Sequence, residues 1–260
     1  RVTSMKVYAL SDLHVDYAQN RQWLQALVAG NFGEDVLILA GDISDKLPLL
    51  EETLSALVGC FAEVLFVPGN HELWLHDDSF DCSLEKFDAV RALCGRLGVH
   101  TEPLHGDHLS IVPLFSWYDF SFGAPDRYLH RAWRDFRACR WPEHLPDMAA
   151  VTAHFLSLNE NRLATRNDTV ISFSHFLPSL AVMPERIPPH RRKVYPVLGS
   201  DRLGDQLSRL QPDIHVYGHS HVNQAVEVDD ILFVNNAFAY PDEERIARKH
   251  LYCVWENCVW

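Results

Sequence analysis

The chain has 260 residues, 47% of them hydrophobic and 22% charged, and carries a formal net charge of −12. That length and balance suit a single domain with its own core and exclude disorder along the whole chain. No apolar run approaches the ~20 residues that a membrane span needs, and the acidic balance argues against bulk nucleic-acid binding. Six cysteines show no CxxC pair, so free thiols in a reducing compartment are expected. No secretory leader is visible. A cytoplasmic protein is therefore expected, with an organellar one after removal of a targeting peptide as the alternative.

Taken in chain order, "MKVYAL" (5–10) is a short apolar run that ends at Ser11-Asp12. Residues 21–30 place Trp23, Leu24, Leu27 and Val28 at helical spacing, closed by Gly30. "DVLILAGD" (35–42) reads as a strand covered on both faces. A helix over 47–59 and a second buried strand over 63–71 follow. This strand–helix alternation predicts a parallel sheet with right-handed crossovers. A helix is expected at 83–97 and a strand at 108–115. Next comes a Trp- and Arg-rich stretch, 116–148, which reads as a cap-like insertion within the single domain 1–260. Further on, 148–164 is helical, 169–176 is a strand ending at His175, and 183–196 is a Pro- and Arg-rich loop. A helix near 200–210 leads to the strand "IHVY" (214–217). Residues 224–236 read as a hairpin around Asp229-Asp230, and 250–260 as a closing strand or hairpin. These late strand pairs predict mixed sheets in two packed layers.

Histidine is over-represented, with 15 copies, and the strand ends collect an unusual set of residues. These are Asp12 and His14, Asp42, Asn70 and His71, His175, and His219 and His221. Active groups in parallel sheets gather beyond the carboxyl ends of the strands. In D-x-H and H-x-H, side chains two apart on an extended backbone point the same way and can reach one small volume. Gly41, Gly69 and Gly218 remove bulk where the chain leaves the sheet. Carboxylate, amide and imidazole without thiolate suit Zn, Mn or Fe, and the number of donors suits two ions sharing a carboxylate. Taken singly, each motif is ordinary turn or cap chemistry. Their joint occurrence at successive strand ends is not.

Asp12-Leu13-His14, Gly41-Asp42, Gly69-Asn70-His71, His175 and Gly218-His219-Ser220-His221 resemble the successive motifs of the calcineurin-like metallophosphoesterase superfamily. The resemblance implies an α/β fold in which two mixed β-sheets are sandwiched between helices (αββα). It also implies two divalent metal ions (Mn, Zn or Fe). Asp12, His14 and His221 would hold one; Asn70, His175 and His219 would hold the other; Asp42 would bridge them. A metal-bridging hydroxide would attack phosphorus, with His71 outside the ligand set assisting the leaving group. The implied activity is hydrolysis of a small phosphomonoester or phosphodiester. The alternative is a catalytically silent metal-bound scaffold of the same fold, with protein partners left open.

Departures from the superfamily's patterns narrow the activity. "GDISDKL" and "VPGNHE" put Lys46 and Pro68 where Ser/Thr protein phosphatases carry arginines, and the match at Glu72 alone does not offset this. Asp45 stands where purple acid phosphatases carry a tyrosine ligand. Trp117 and Tyr118 are candidates for a stacking wall, with core packing as the alternative. Arg191, in the 183–196 loop, is a candidate phosphate clamp, with a solvated loop as the alternative. Asn70, beside its ligand role, and His71 are expected to touch substrate.

Overall fold

The computed structural model describes residues 5–76 and 80–257. Its first sheet runs β10 (Tyr252–Glu256), β1 (Lys6–Leu10), β2 (Phe32–Leu39), β3 (Phe61–Phe66) in spatial order. The second runs β4 (Leu104–His105), β5 (Leu109–Pro113), β6 (Thr169–Phe173), β7 (Ile214–Tyr217), β9 (Ile231–Asn235), β8 (Gln224–Val228). Strands β1, β2 and β3 pair in parallel, as do β5, β6, β7 and β9; β10, β4 and β8 pair antiparallel at the edges. Both sheets are therefore mixed. The helices are α1 (Ala18–Val28), α2 (Leu47–Val58), α3 (Ser83–Leu97), α4 (Arg127–Ala132), α5 (Asp135–Ala138), α6 (Met148–Ser157) and α7 (Asp201–Leu210).

The period of 2 along each strand builds the layers. In β2, Val36 and Ile38 join the cluster between the sheets, with Ile111, Ile171, Phe173 and Val216 from the second sheet. Their neighbours Leu37 and Leu39 face the other way, onto Leu24 of α1, Leu50 and Leu54 of α2, and Val90 of α3. On the far side, Val112, Val170 and Phe233 meet Leu156 of α6 and Leu203 and Leu207 of α7. The layer order is thus helix, sheet, sheet, helix, as the resemblance implied.

Boundaries shift by a few residues from the sequence reading. The strands end sooner, because residues such as Asp42 and His175 turn out of the ladder into the loops that carry the site. The helix expected over 148–164 divides into α6 and a short 3-10 turn at Glu160–Arg162. The hairpin between β8 and β9 turns through Asp229 (φ 50°) and Asp230 (φ 63°), both left-handed, as a two-residue turn matched to the twist of the strands requires. Within 250–260, β10 is described and 258–260 lie outside the described residues. In the 116–148 stretch, Leu129 and Leu145 join the central core, while Trp133, Arg134 and Asp135 reach the cleft described below. Among the described residues, no helix is long and apolar enough to cross a membrane.

Candidate active site

The loops after β1, β2, β3, β6 and β7 converge at one rim of the sheets. Five of the expected ligands have left-handed backbones: Asp12 (φ 52°), His14 (φ 43°), Asp42 (φ 58°), His219 (φ 64°) and His221 (φ 56°). This region costs a non-glycine residue about 1–2 kcal/mol, and such strain persists only where surrounding structure holds it. The turn bearing Asp42 and the turn bearing Asn70 and His71 are held by Glu72. Its carboxylate accepts the backbone N–H groups of Asp42 (2.9 Å), Ile43 (2.7 Å), Ser44 (3.1 Å) and Gly69 (2.7 Å). The glycines allow close approach: a Cβ on Gly69 would lie 2.1 Å from Asp42 Oδ1, and one on Gly218 would lie 2.7 Å from Asp12 Oδ2.

The structure brings all the expected ligands together. Asp12, His14 and His221 form one group of donor atoms within 4.8 Å of one another, and Asp42, His175 and His219 form another. His14 Nε2 lies 3.2 Å from His221 Nε2, which is 3.2 Å from Asp12 Oδ1. His175 Nε2 lies 3.0 Å from His219 Nδ1, 3.0 Å from Asn70 Oδ1 and 3.5 Å from Asp42 Oδ2. A third group joins His14, Asp42 and His71, with His71 Nε2 3.7 Å from Asp42 Oδ2. Asp42 thus belongs to both the second and third groups and lies between the two sides of the site.

The remaining ring nitrogens fix the imidazoles. His175 Nδ1 faces the Ala40 carbonyl (2.8 Å) and His219 Nε2 the Val197 carbonyl (3.0 Å). A carbonyl only accepts, so these nitrogens carry the protons and leave His175 Nε2 and His219 Nδ1 with lone pairs facing the site. His221 Nδ1 bonds to Glu243 Oε2 at 2.6 Å. The Asn70 amide is set likewise: its Nδ2 donates to Asp135 Oδ1 (2.9 Å), which directs its oxygen at His175. Asp135 also accepts the indole N–H groups of Trp74 (2.6 Å) and Trp133 (2.8 Å).

The electrostatics fit cations. Burial pushes the Asp42 carboxyl well above its usual range, and the Glu72 and Asp12 carboxylates push it further. Positive charge would be needed to keep it ionised. Burial lowers His14, His71, His175 and His219, so they stay neutral and able to ligate. Burial also works against a proton on His221, but Asp12 and Glu243 outweigh it and lift the ring to about 9. A proton there supplies the positive charge that the pair of carboxylates demands, and a divalent ion would supply it instead. The donor set contains carboxylate, imidazole and amide oxygen and no thiolate, a chemistry that suits a divalent metal ion.

The site opens into a cleft of about 610 Å³ lined by His14, Asn70, His71 and Asp135 from the site itself, and by Tyr17, Lys46, Trp74, Trp133, Arg134 and Tyr240 around it. Tyr240 stacks on His14 with centroids 4.5 Å apart, and Trp74 underlies His71 at 3.6 Å. The Arg134 guanidinium sits 4.4 Å over the Trp74 ring. Two expectations about substrate contacts need correction. Trp117 and Tyr118 are 1% and 0% exposed and pack against Phe176 in the central core, so they form no wall of the cleft. Arg191 lies exposed on the 3-10 segment Pro189–Val197 and is absent from the cleft lining.

Glu72, Asp135, Glu243 and Tyr240 had not been singled out for these roles. Glu72 lies inside the "GNHE" string, so a signal existed. The other three sit in stretches without a motif.

Known proteins resemble the chain at the levels of sequence, fold and family. One curated relative, the [acyl-carrier-protein] phosphodiesterase PptH of Mycobacterium tuberculosis, is 28% identical over 265 residues, spanning 92% of this chain and 79% of the relative. The crystal structure of phosphopantetheinyl hydrolase (PptH) from Mycobacterium tuberculosis superposes with a TM-score of 0.76 at 25% identity, covering 96% of each chain. The family profile described as calcineurin-like phosphoesterase matches residues 5–223, and so the chain belongs to that family of metal-dependent phosphoester hydrolases.

Proposed function

We propose that this chain hydrolyses a phosphodiester with two divalent cations, and that the ester joins a phosphopantetheinyl group to a carrier protein. The observation that carries the reading is the meeting of Asp12, His14, Asp42, Asn70, His175, His219 and His221 donors at the floor of a cleft that His71 lines. The names of the two M. tuberculosis matches supply the substrate class. Asp12, His14 and His221 would hold one cation, Asn70, His175 and His219 the other, with Asp42 between. When bound, such a pair lowers the pKa of a water toward neutrality and neutralises charge on the phosphoryl oxygens.

The chain's own residues do the rest. Ala40, Val197 and Glu243 fix three imidazole orientations, so no reorganisation is needed when the ester arrives. His71, kept neutral by burial and by His175 and His221, offers a ring N–H to the departing oxygen. A neutral donor stabilises the charge that develops on that oxygen and does not require a standing imidazolium. Stacking on Trp74 holds the ring in place. Arg134, over the same indole, places a cation at the cleft wall where the ester's remaining negative charge can face it. Tyr17, Trp74, Trp133 and Tyr240 give the cleft aromatic walls for the extended pantetheinyl chain that stays on the phosphate.

The test is turnover of the Mn-loaded protein on bis-nitrophenyl phosphate against the monoester, together with mass spectrometry of a phosphopantetheinylated carrier protein. Preference for the diester and loss of the prosthetic mass are expected. Hydrolysis of the monoester alone would overturn the reading.

A further inference from the structure

The Arg-rich stretches of 116–148 and 183–196 supply no ligand to the cage, yet they meet on one face beside the cleft. Arg127 and Arg131 are one turn apart on α4 and share a side of that helix, and Arg134 and Arg137 follow three residues apart. Arg191 and Lys193 come from the segment Pro189–Val197. The two stretches touch where Lys193 Nζ lies 5.7 Å over the Tyr128 ring. The band reaches the site at both ends. Arg134 lines the cleft, and Val197, closing the second segment, receives the His219 ring.

All six cations are exposed, and among the described residues none faces a carboxylate in an ion pair. Among the other exposed arginines of the described residues, Arg96 and Arg209 lie 3.9 and 2.8 Å from Glu51 and Glu160, while Arg166, Arg202, Arg245 and Arg248 make no ion pair but are spread along the chain and not gathered in one stretch of sequence. The acids near the band are otherwise engaged or few. Asp126 and Asp147 are exposed but cap α4 and α6, Asp135 is buried on Asn70 and the two indoles, and Glu143 and Glu185 are exposed. In a chain of net charge −12, a band of unpaired cations runs against the rest of the surface. At its centre Tyr128 is 66% exposed, the kind of aromatic that anchors protein interfaces.

We infer that this band is the docking face for an acidic protein that presents its phosphodiester to the cleft. The inference rests on the phosphodiesterase reading above and assigns its substrate's protein part to a surface. A compact acidic protein meets only the band, whereas a long nucleic acid would run past it onto like-charged surface. Rim charges of this kind act mainly on encounter rate and salt dependence.

The test uses the Mn-loaded full chain, an acidic holo acyl carrier protein, and bis-nitrophenyl phosphate. Binding of the carrier is read directly by surface plasmon resonance, and hydrolysis is read separately. The double variant Arg127→Glu with Lys193→Glu should cut carrier binding and kcat/KM at least about tenfold while small-ester turnover stays within about twofold. Its melting temperature should match that of the wild type, because both positions are exposed and Glu suits the first turn of α4. Raising salt should reproduce the loss in the wild type. Carrier binding indifferent to both salt and substitution would overturn the docking face. So would an oligonucleotide that binds more tightly than the carrier and is lost in the same variant. Carrier binding weakened by the variant, with neither ester hydrolysed, would uphold the face and overturn the hydrolytic reading.

Discussion

Asn70 and Asp135, 65 positions apart in sequence, are joined by a 2.9 Å hydrogen bond that leaves the Asn70 oxygen 3.0 Å from His175 Nε2. Without the Asp135 acceptor, the amide loses what distinguishes its two ends and can present N–H groups to the cation position. Asp135→Ala should therefore weaken the site built on His175 and His219 by roughly 10–100-fold, leaving the site built on Asp12, His14 and His221 nearly intact. Calorimetric titration with Mn should resolve one weakened and one unchanged step. Two equally weakened steps would point to general damage.

Asp42 makes a different prediction, because its carboxylate lies between both sites. Asp42→Asn keeps the shape and removes the charge, so both binding steps should weaken together and turnover should fall with them. Metal content measured after gel filtration is the direct check.

For His71 the expected signature is selectivity. His71→Ala should retain metal and lose roughly 10²–10⁴-fold in rate on an alkyl phosphodiester, where the leaving oxygen needs stabilising. On nitrophenyl esters, whose leaving group needs little help, the loss should be much smaller. Equal losses on both would remove His71 from that role.

Glu72 bears on stability as well as activity. Four backbone N–H groups end on its carboxylate, while burial lifts its pKa to about 7. Glu72→Ala would strand several buried donors at about 1–3 kcal/mol each, so a loss of at least about 3 kcal/mol in urea unfolding is expected. Metal affinity should fall at both sites, since both turns are freed.

His215 sets part of the acid limit. It is wholly buried, bonded to Ser172 (2.8 Å) and Ser174 (3.0 Å), and burial lowers its pKa from 6.5 to about 3. The folded state binds this proton more weakly than the unfolded chain does. Its contribution to stability is full above pH 6.5 and drains away down to about pH 3, at up to ~1.4 kcal/mol per unit. The unfolding free energy of His215→Gln should decline less steeply over that window than the wild type's; parallel curves would refute the assignment.

The ligand cage was legible in the sequence because ligand spacing and glycines are local. Asp12 and His14, or His219 and His221, lie two apart and need no tertiary information to be read as a pair. The groups that orient them were not legible, for the opposite reason. Asp135 serves Asn70 from 65 residues away, and Glu243 serves His221 from 22. Neither spacing leaves a pattern. Trp117 and Tyr118 were ambiguous because an amphipathic ring suits a cleft wall and a core equally, and only their packing against Phe176 decides. The layers followed from alternation in β2, whereas the two-residue β4 is too short to leave a period.

The left-handed turns at Asp12, His14, Asp42, His219 and His221 carry a thermodynamic corollary. Their awkward geometry is imposed while the polypeptide folds, so cation capture finds a receptor already formed. Unlike small zinc modules that remain coils until loaded, this protein should take up its ions with little change in far-ultraviolet dichroism and a small heat-capacity increment. Chelation should likewise leave the secondary structure standing.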